Sequence, residues 1–207
     1  MNKKPATIQI LLCLLLAFCF WYLTFTVKLL NFWLSMAIAA IILSTLALAF
    51  GAHNLQKSEL TLDNFLRGLF AALILYGIFR AGNIISQALF HFAKPEISSI
   101  YSIRSEGQAA IITFVLLFIT SPGEEFFWRG FLQRWTMERF GPIIGWLTAS
   151  IIYGAVHIAS GNIMLVLAAL VAGLFWGWLY RYSGSLFACI ISHAVWTVGI
   201  FVLFPIL

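Results

Sequence analysis

The sequence predicts an all-α, polytopic integral membrane bundle of seven or eight helices in a single domain. Three observations carry this expectation. The 207 residues are 62% hydrophobic and only 9% charged, where an average soluble domain is about 25% charged. Apolar runs long enough to cross ~30 Å of hydrocarbon recur along the chain. Short polar or turn-forming stretches separate most of them. The net charge of +5 is no nucleic-acid footprint. Lys and Arg sit in loops and at helix ends, without a basic stripe or a nucleic-acid motif.

The apolar runs are roughly 8–26, 29–50, 67–91, 142–159, 162–181 and 185–205. The punctuation is AHNLQKSELTLDN (52–64), AKPEISSIYSIRSEG (93–107), Gly141-Pro142, Ser160-Gly161-Asn162 and Ser183-Gly184, with a short stretch around Lys28 between the first two runs. The N-terminal run resembles a signal peptide at first sight. It exceeds the 7–15 residues of a typical h-region and no A-x-A site follows, so it reads as a retained span. Phe18 before Cys19 argues against a lipoprotein cleavage site. Cys13, Cys19 and Cys189 form no metal or disulfide pattern and read as packing residues. Segment 108–139 differs from the rest. It starts apolar, breaks at Ser121-Pro122-Gly123 and resumes with charges. That pattern suggests a span followed by a second, membrane-buried or interfacial helix.

If 108–139 crosses once, Lys3, Lys4, Lys57, Arg67, Arg134, Arg139 and Arg181 share one side, and Lys28, Lys94 and Arg104 the other. The excess predicts a cytoplasmic N-terminus.

Ionisable residues inside spans are costly and default to a functional reading. Here they are Arg80, Glu124, Glu125, Arg129, His157 and His193. In SPGEEFFWRG (121–130), Ser121 and Glu124 have capping-box spacing with Pro122 at the first helical position. A cap explains Glu124 but neither Glu125 nor Arg129. Glu125 and Arg129 are i and i+4, on one helical face, and can pair. Glu124 is left to face something else. In ASIIYGAVHIASG (149–161), Ser150, Tyr153 and His157 form a polar stripe. In ISHAVWTVG (191–199), His193 and Thr197 share a face. Three separate helices thus carry groups that lipid would reject, and a common, partly hydrated cavity would house them. Two carboxylates and two imidazoles can activate a water and stabilise a tetrahedral intermediate. They could equally ligate a divalent metal, though without HExxH spacing the ligands would come from different helices.

The remaining polar residues read as structural. Arg80 snorkels or pairs with a neighbouring helix. His53 and His91 are expected to be solvated, and Glu59, Asp63, Glu96, Glu106 and Glu138 to be loop or helix-end charges. Gly173 and Gly177 form a GxxxG pair suited to close contact within the bundle.

Together, EEFFWRG, YGAVH and the final segment AGLFWGWLYRYSGSLFACIISHAVWT resemble the CAAX prenyl protease and bacteriocin-processing (CPBP, or Abi) family of membrane-embedded proteases. The likeness to EExxxR, FxxxH and HxxxN motifs spans about residues 105–200. It divides the single domain into N-terminal spans (1–104) and a protease-like core (105–207). The resemblance implies Glu124 as the base that activates water, Glu125 and Arg129 as its supporting pair, and His157 and His193 completing the site, one of them near the oxyanion. Tyr153 stands where the family has phenylalanine. Thr197 stands where it has asparagine, which leaves the oxyanion donor to a shorter hydroxyl. The family has been described both as zinc-dependent and as metal-independent; a zinc ion, if present, would fall to Glu124, His157 and His193. The implied activity is hydrolysis of a peptide bond in a membrane-tethered substrate: a precursor peptide, a sorting tail or a lipid-modified C-terminus. The expected location is a bacterial inner membrane, with the lipid bilayer itself as a partner. The alternative is a non-catalytic self-immunity or toxin-binding protein of the same fold; a transporter is more distant.

Overall fold

The computed structural model describes residues 5–206. Lys3 and Lys4, which enter the charge argument, lie outside them. The described residues form eight helices and no strand: α1 (Thr7–Val27), α2 (Phe32–Ala49), α3 (Leu62–Leu89), α4 (Ala93–Ser102), α5 (Ala109–Phe140), α6 (Pro142–Ser160), α7 (Ile163–Ser183) and α8 (Leu186–Leu203). Seven of these are long and apolar enough to span a membrane, and α4 is the short exception. The protein is a multi-pass helical membrane protein.

Local chemistry sets the helix ends. The side chains of Asn31, Thr61, Asn162 and Ser185 accept backbone N–H groups at the starts of α2, α3, α7 and α8. Those N–H groups have no partner within the helix. Gly161 and Gly184 end α6 and α7 in the left-handed region (φ 65° each), which costs glycine nothing. Lipid gives helices little hydrophobic reason to associate, so small residues bring the backbones together. A Cβ on Gly68 of α3 would lie 2.7 Å from the Ala188 carbonyl of α8. A Cβ on Gly173 would meet Tyr153 and Ser150 of α6, and one on Gly177 would meet Trp146 and Gln133. The GxxxG pair therefore works inside the bundle. Leu11, Leu15, Phe70, Leu73 and Phe118 are among the large side chains left facing outward.

Three sequence expectations need correction. First, SPG does not break the chain. α5 is one 32-residue helix, and Ser121 lies inside it with φ −61° and ψ −48°. Pro122 cannot donate the usual bond to the fourth residue back. The helix accommodates this with a π-helical winding at Leu116–Thr120 just before it, and a second winding follows at Phe126–Gln133. Ser121 therefore caps nothing, and its Oγ is buried without a partner among the described residues. Second, the eighth helix is α4, drawn from a stretch that reads as a polar connection. α4 is pinned to α7 where Glu96 Oε2 accepts the Met164 N–H at 2.8 Å and Asn162 donates to the Glu96 carbonyl. Third, His53 and Glu59 are not solvated loop residues. His53 bridges Tyr180 Oη (2.9 Å) and Glu59 Oε1 (2.7 Å), while Glu59 Oε2 accepts the Leu186 N–H at 2.7 Å. This cluster ties the α2–α3 connection to the start of α8.

Candidate active site

α5 carries Glu124 and Glu125 into the bundle on adjacent positions, so their side chains leave the helix in different directions. Glu125 points into protein. It is fully buried, and its Oε1 accepts from Arg129 at 3.2 Å. The predicted i, i+4 pair is present. Arg129 is 2% exposed. Its guanidinium also donates to the Gly173 carbonyl (3.4 Å) and lies over the Tyr153 ring at 4.8 Å. An ion pair removed from water needs such extra partners to offset its desolvation. The close approach of α2 beside this turn depends on Gly123, whose Cβ would sit 3.0 Å from the Ala40 carbonyl.

Glu124 faces the other way, onto an apolar cavity of about 370 Å³. Tyr153 donates its hydroxyl proton to Glu124 Oε2 at 3.1 Å. Oε1 has no partner among the described residues. Tyr153, His157, His193 and Thr197 also line the cavity, whereas Glu125 and Arg129 do not. The structure thus brings all seven sequence-predicted residues together and sorts them. Five reach the cavity, and two stand behind it.

The histidines are held differently. His193 Nδ1 lies 2.7 Å from Glu125 Oε1, and its ring stacks on Trp176 with centroids 3.8 Å apart. A carboxylate only accepts, so Nδ1 carries the proton and Nε2 is the free end on the cavity side. Glu125 therefore serves Arg129 and His193 with one oxygen, and Oε2 is buried without a partner among the described residues. His157 has no free nitrogen. Its Nε2 accepts the indole N–H of Trp21 at 3.1 Å, and its Nδ1 donates to the Tyr153 carbonyl at 2.8 Å. Nothing in the mostly apolar first span singles out Trp21, and the sequence reading missed it. The Thr197 hydroxyl donates to the His193 carbonyl at 2.7 Å, so its proton is engaged within its own helix.

These bonds decide the fit of a metal ion. With both His157 nitrogens engaged and His193 Nδ1 on Glu125, the set Glu124, His157 and His193 does not offer three free ligand atoms. Among the described residues no three His, Cys, Asp or Glu side chains group as a metal site. The donors as arranged do not fit a zinc ion.

Tracing the cavity wall through the bundle locates it along the membrane normal. Its lining includes the last turn of α1 (Phe25), the start of α2 (Phe32, Trp33), the latter part of α3 (Gly82, Asn83), α4 (Ile97, Tyr101) and the end of α8 (Phe201). With one crossing per long helix, all of these lie toward the face opposite the N-terminus.

Comparison with curated proteins and with solved structures gives no match. Comparison with protein families gives one, to the Rce1-like family, described as type II CAAX prenyl endopeptidase, over residues 106–199. That stretch contains the two glutamates, Arg129, both cavity histidines and Thr197. Over it the chain is similar to the Rce1-like family, in keeping with the CAAX prenyl protease and bacteriocin-processing motifs that its sequence resembles.

Proposed function

We propose that the protein is an intramembrane endopeptidase in which Glu124 activates water. The observation that carries this reading is the asymmetry of the glutamate pair: Glu125 is engaged by Arg129 and His193, while Glu124 keeps one oxygen free on the cavity. A water at Oε1 would give its proton to Glu124 as its oxygen attacks the substrate carbonyl carbon. Charge then develops on the carbonyl oxygen, and His193, when protonated, presents Nε2–H to it from a ring held by Glu125 and Trp176. Glu124 returns the proton to the leaving nitrogen as the C–N bond breaks. One water is consumed, and a carboxylic acid and an amine are formed. Donors fixed in advance in a water-poor site are worth more than the same donors in bulk water.

The charge distribution supports a cytoplasmic N-terminus, with Lys57, Arg67, Arg134, Arg139 and Arg181 on that face and Lys28, Lys94 and Arg104 on the other. The cavity then lies in the extracytoplasmic half of a bacterial inner membrane. This favours a precursor peptide or a sorting tail over a lipid-modified tail held at the cytoplasmic face.

The test is Glu124→Gln, scored by processing of co-expressed membrane-tethered precursor reporters. Loss of cleavage with correct insertion is expected. Unchanged cleavage overturns the mechanism. If no reporter is cleaved by either form and the gene instead protects cells from a toxin regardless of residue 124, the self-immunity reading replaces this one.

A further inference from the structure

All the residues that the family match supplies to the cavity lie in 106–199, yet one hydrogen bond to the site comes from far outside it. Trp21, on α1, is 1% exposed and does not line the cavity. It approaches His157 from behind. Its indole nitrogen can only donate, so the 3.1 Å bond makes His157 Nε2 an acceptor. The imidazole proton must then sit on Nδ1, where the Tyr153 carbonyl receives it at 2.8 Å. One neutral tautomer satisfies both contacts, and neither the other tautomer nor the imidazolium does. The rings of Trp21 and His157 meet edge to face at 5.7 Å, and Trp21 meets Trp128 the same way at 5.8 Å. The last turn of α1 is fastened beyond His157 as well, because Thr26 donates its hydroxyl to the Ala159 carbonyl at 2.6 Å. α6 leaves α-helical geometry at His157, so its backbone alone does not fix this ring.

We propose that Trp21 is a positioning residue of the site: the first span holds His157 in its Nδ1-protonated, neutral form and so fixes the wall of the cavity formed by His157 and Tyr153, next to Glu124. The inference rests on the peptidase reading for its kinetic consequence and stands apart from it for the tautomer. Trp21 acts through His157 and need not touch substrate.

The experiment uses the full chain in lipid nanodiscs with ¹⁵N-labelled histidine, His157→Gln assigning the His157 signals. The expected spectrum has Nδ1 protonated and Nε2 unprotonated. Trp21→Phe, which keeps a ring but not the donor, should replace it with a mixture of tautomers. An unchanged His157 signature overturns the proposal. In parallel, the precursor reporter that depends on Glu124 is followed kinetically. Trp21→Phe should lower kcat about five- to tenfold, the size of one buried hydrogen bond, with KM unchanged. It should cost nothing further in a His157→Gln background. Additive losses, or a faster Trp21→Phe enzyme, overturn the proposal. If Trp21→Phe fails to fold, benzothienylalanine at position 21 preserves the bicyclic shape without the N–H and decides the same outcomes. If Glu124→Gln still cleaves the reporter, the peptidase mechanism fails while the tautomer measurement still decides the role of Trp21.

Discussion

The cluster around Glu124 and the cluster around Glu59 use the same side-chain types: a carboxylate, an imidazole and a phenol. Around Glu59 both carboxylate oxygens and both His53 nitrogens are engaged, by Tyr180, by the Leu186 N–H and by each other. Nothing is left over for a ligand. Around Glu124 one carboxylate oxygen and one His193 nitrogen remain open, and the side chains carrying them line a cavity. Composition does not separate a closed polar cluster from one open to a ligand. Spare hydrogen-bonding capacity facing an accessible space does.

That contrast can be broken by mutation. The largest expected effect is on rate: Glu124→Gln should lower processing by about 10²-fold or more, the low end for a lost general base, with thermal stability in detergent unchanged. A stability change of the same rank without a rate change would place Glu124 with Glu59. Next comes Glu125→Ala, which strands Arg129 in the interior. Breaking a buried pair costs about 3–5 kcal/mol, and denaturation of the purified protein should show it. Glu59→Ala leaves the Leu186 N–H and His53 unpaired. It should cost about 1–3 kcal/mol while the turnover of the folded fraction stays at the wild-type value. The smallest effect should follow Tyr153→Phe, which removes one donor to Glu124 and should slow turnover by about tenfold or less, readable as a change in kcat at saturating reporter. A separate labelling experiment sharpens the location of the open cluster. A cysteine placed at Lys94 should react with a membrane-impermeant thiol reagent added outside intact cells, whereas one at Lys57 should react only after lysis.

Much of this architecture was legible in the residues. The apolar runs locate the spans, and Gly141-Pro142, Ser160-Gly161-Asn162 and Ser183-Gly184 mark their ends because each supplies a cap or a left-handed turn. Glu125 and Arg129 were paired by spacing alone. Three features were not legible. Pro122 suggested a helix break, but a π-helical winding absorbs its missing donor, and spacing rules assume a constant pitch. Glu59 and His53 looked like loop residues because their partners, Tyr180 and Leu186, are more than a hundred positions away. Trp21 was hidden for the opposite reason. In a span as apolar as α1, no periodic signal distinguishes an indole facing lipid from one donating to a histidine of the cavity wall.

The two π-helical windings on either side of Glu124 fix the angular phase of α5. Leu116–Thr120 precedes the glutamates and Phe126–Gln133 follows them. A π winding holds one residue more per turn than an α-helix can, as a one-residue insertion would. Deleting one residue from Leu116–Thr120 would let the helix return to regular pitch with Glu124 still on the cavity, because the winding already absorbs that residue. Forcing the same stretch into regular α-helix without a deletion would instead swing every side chain beyond it by about 100° relative to the preceding half. Glu124 would turn from the cavity, and its neighbours would be offered in its place. The chemistry of the site is thus written in the phase of a helix as well as in the identity of its residues.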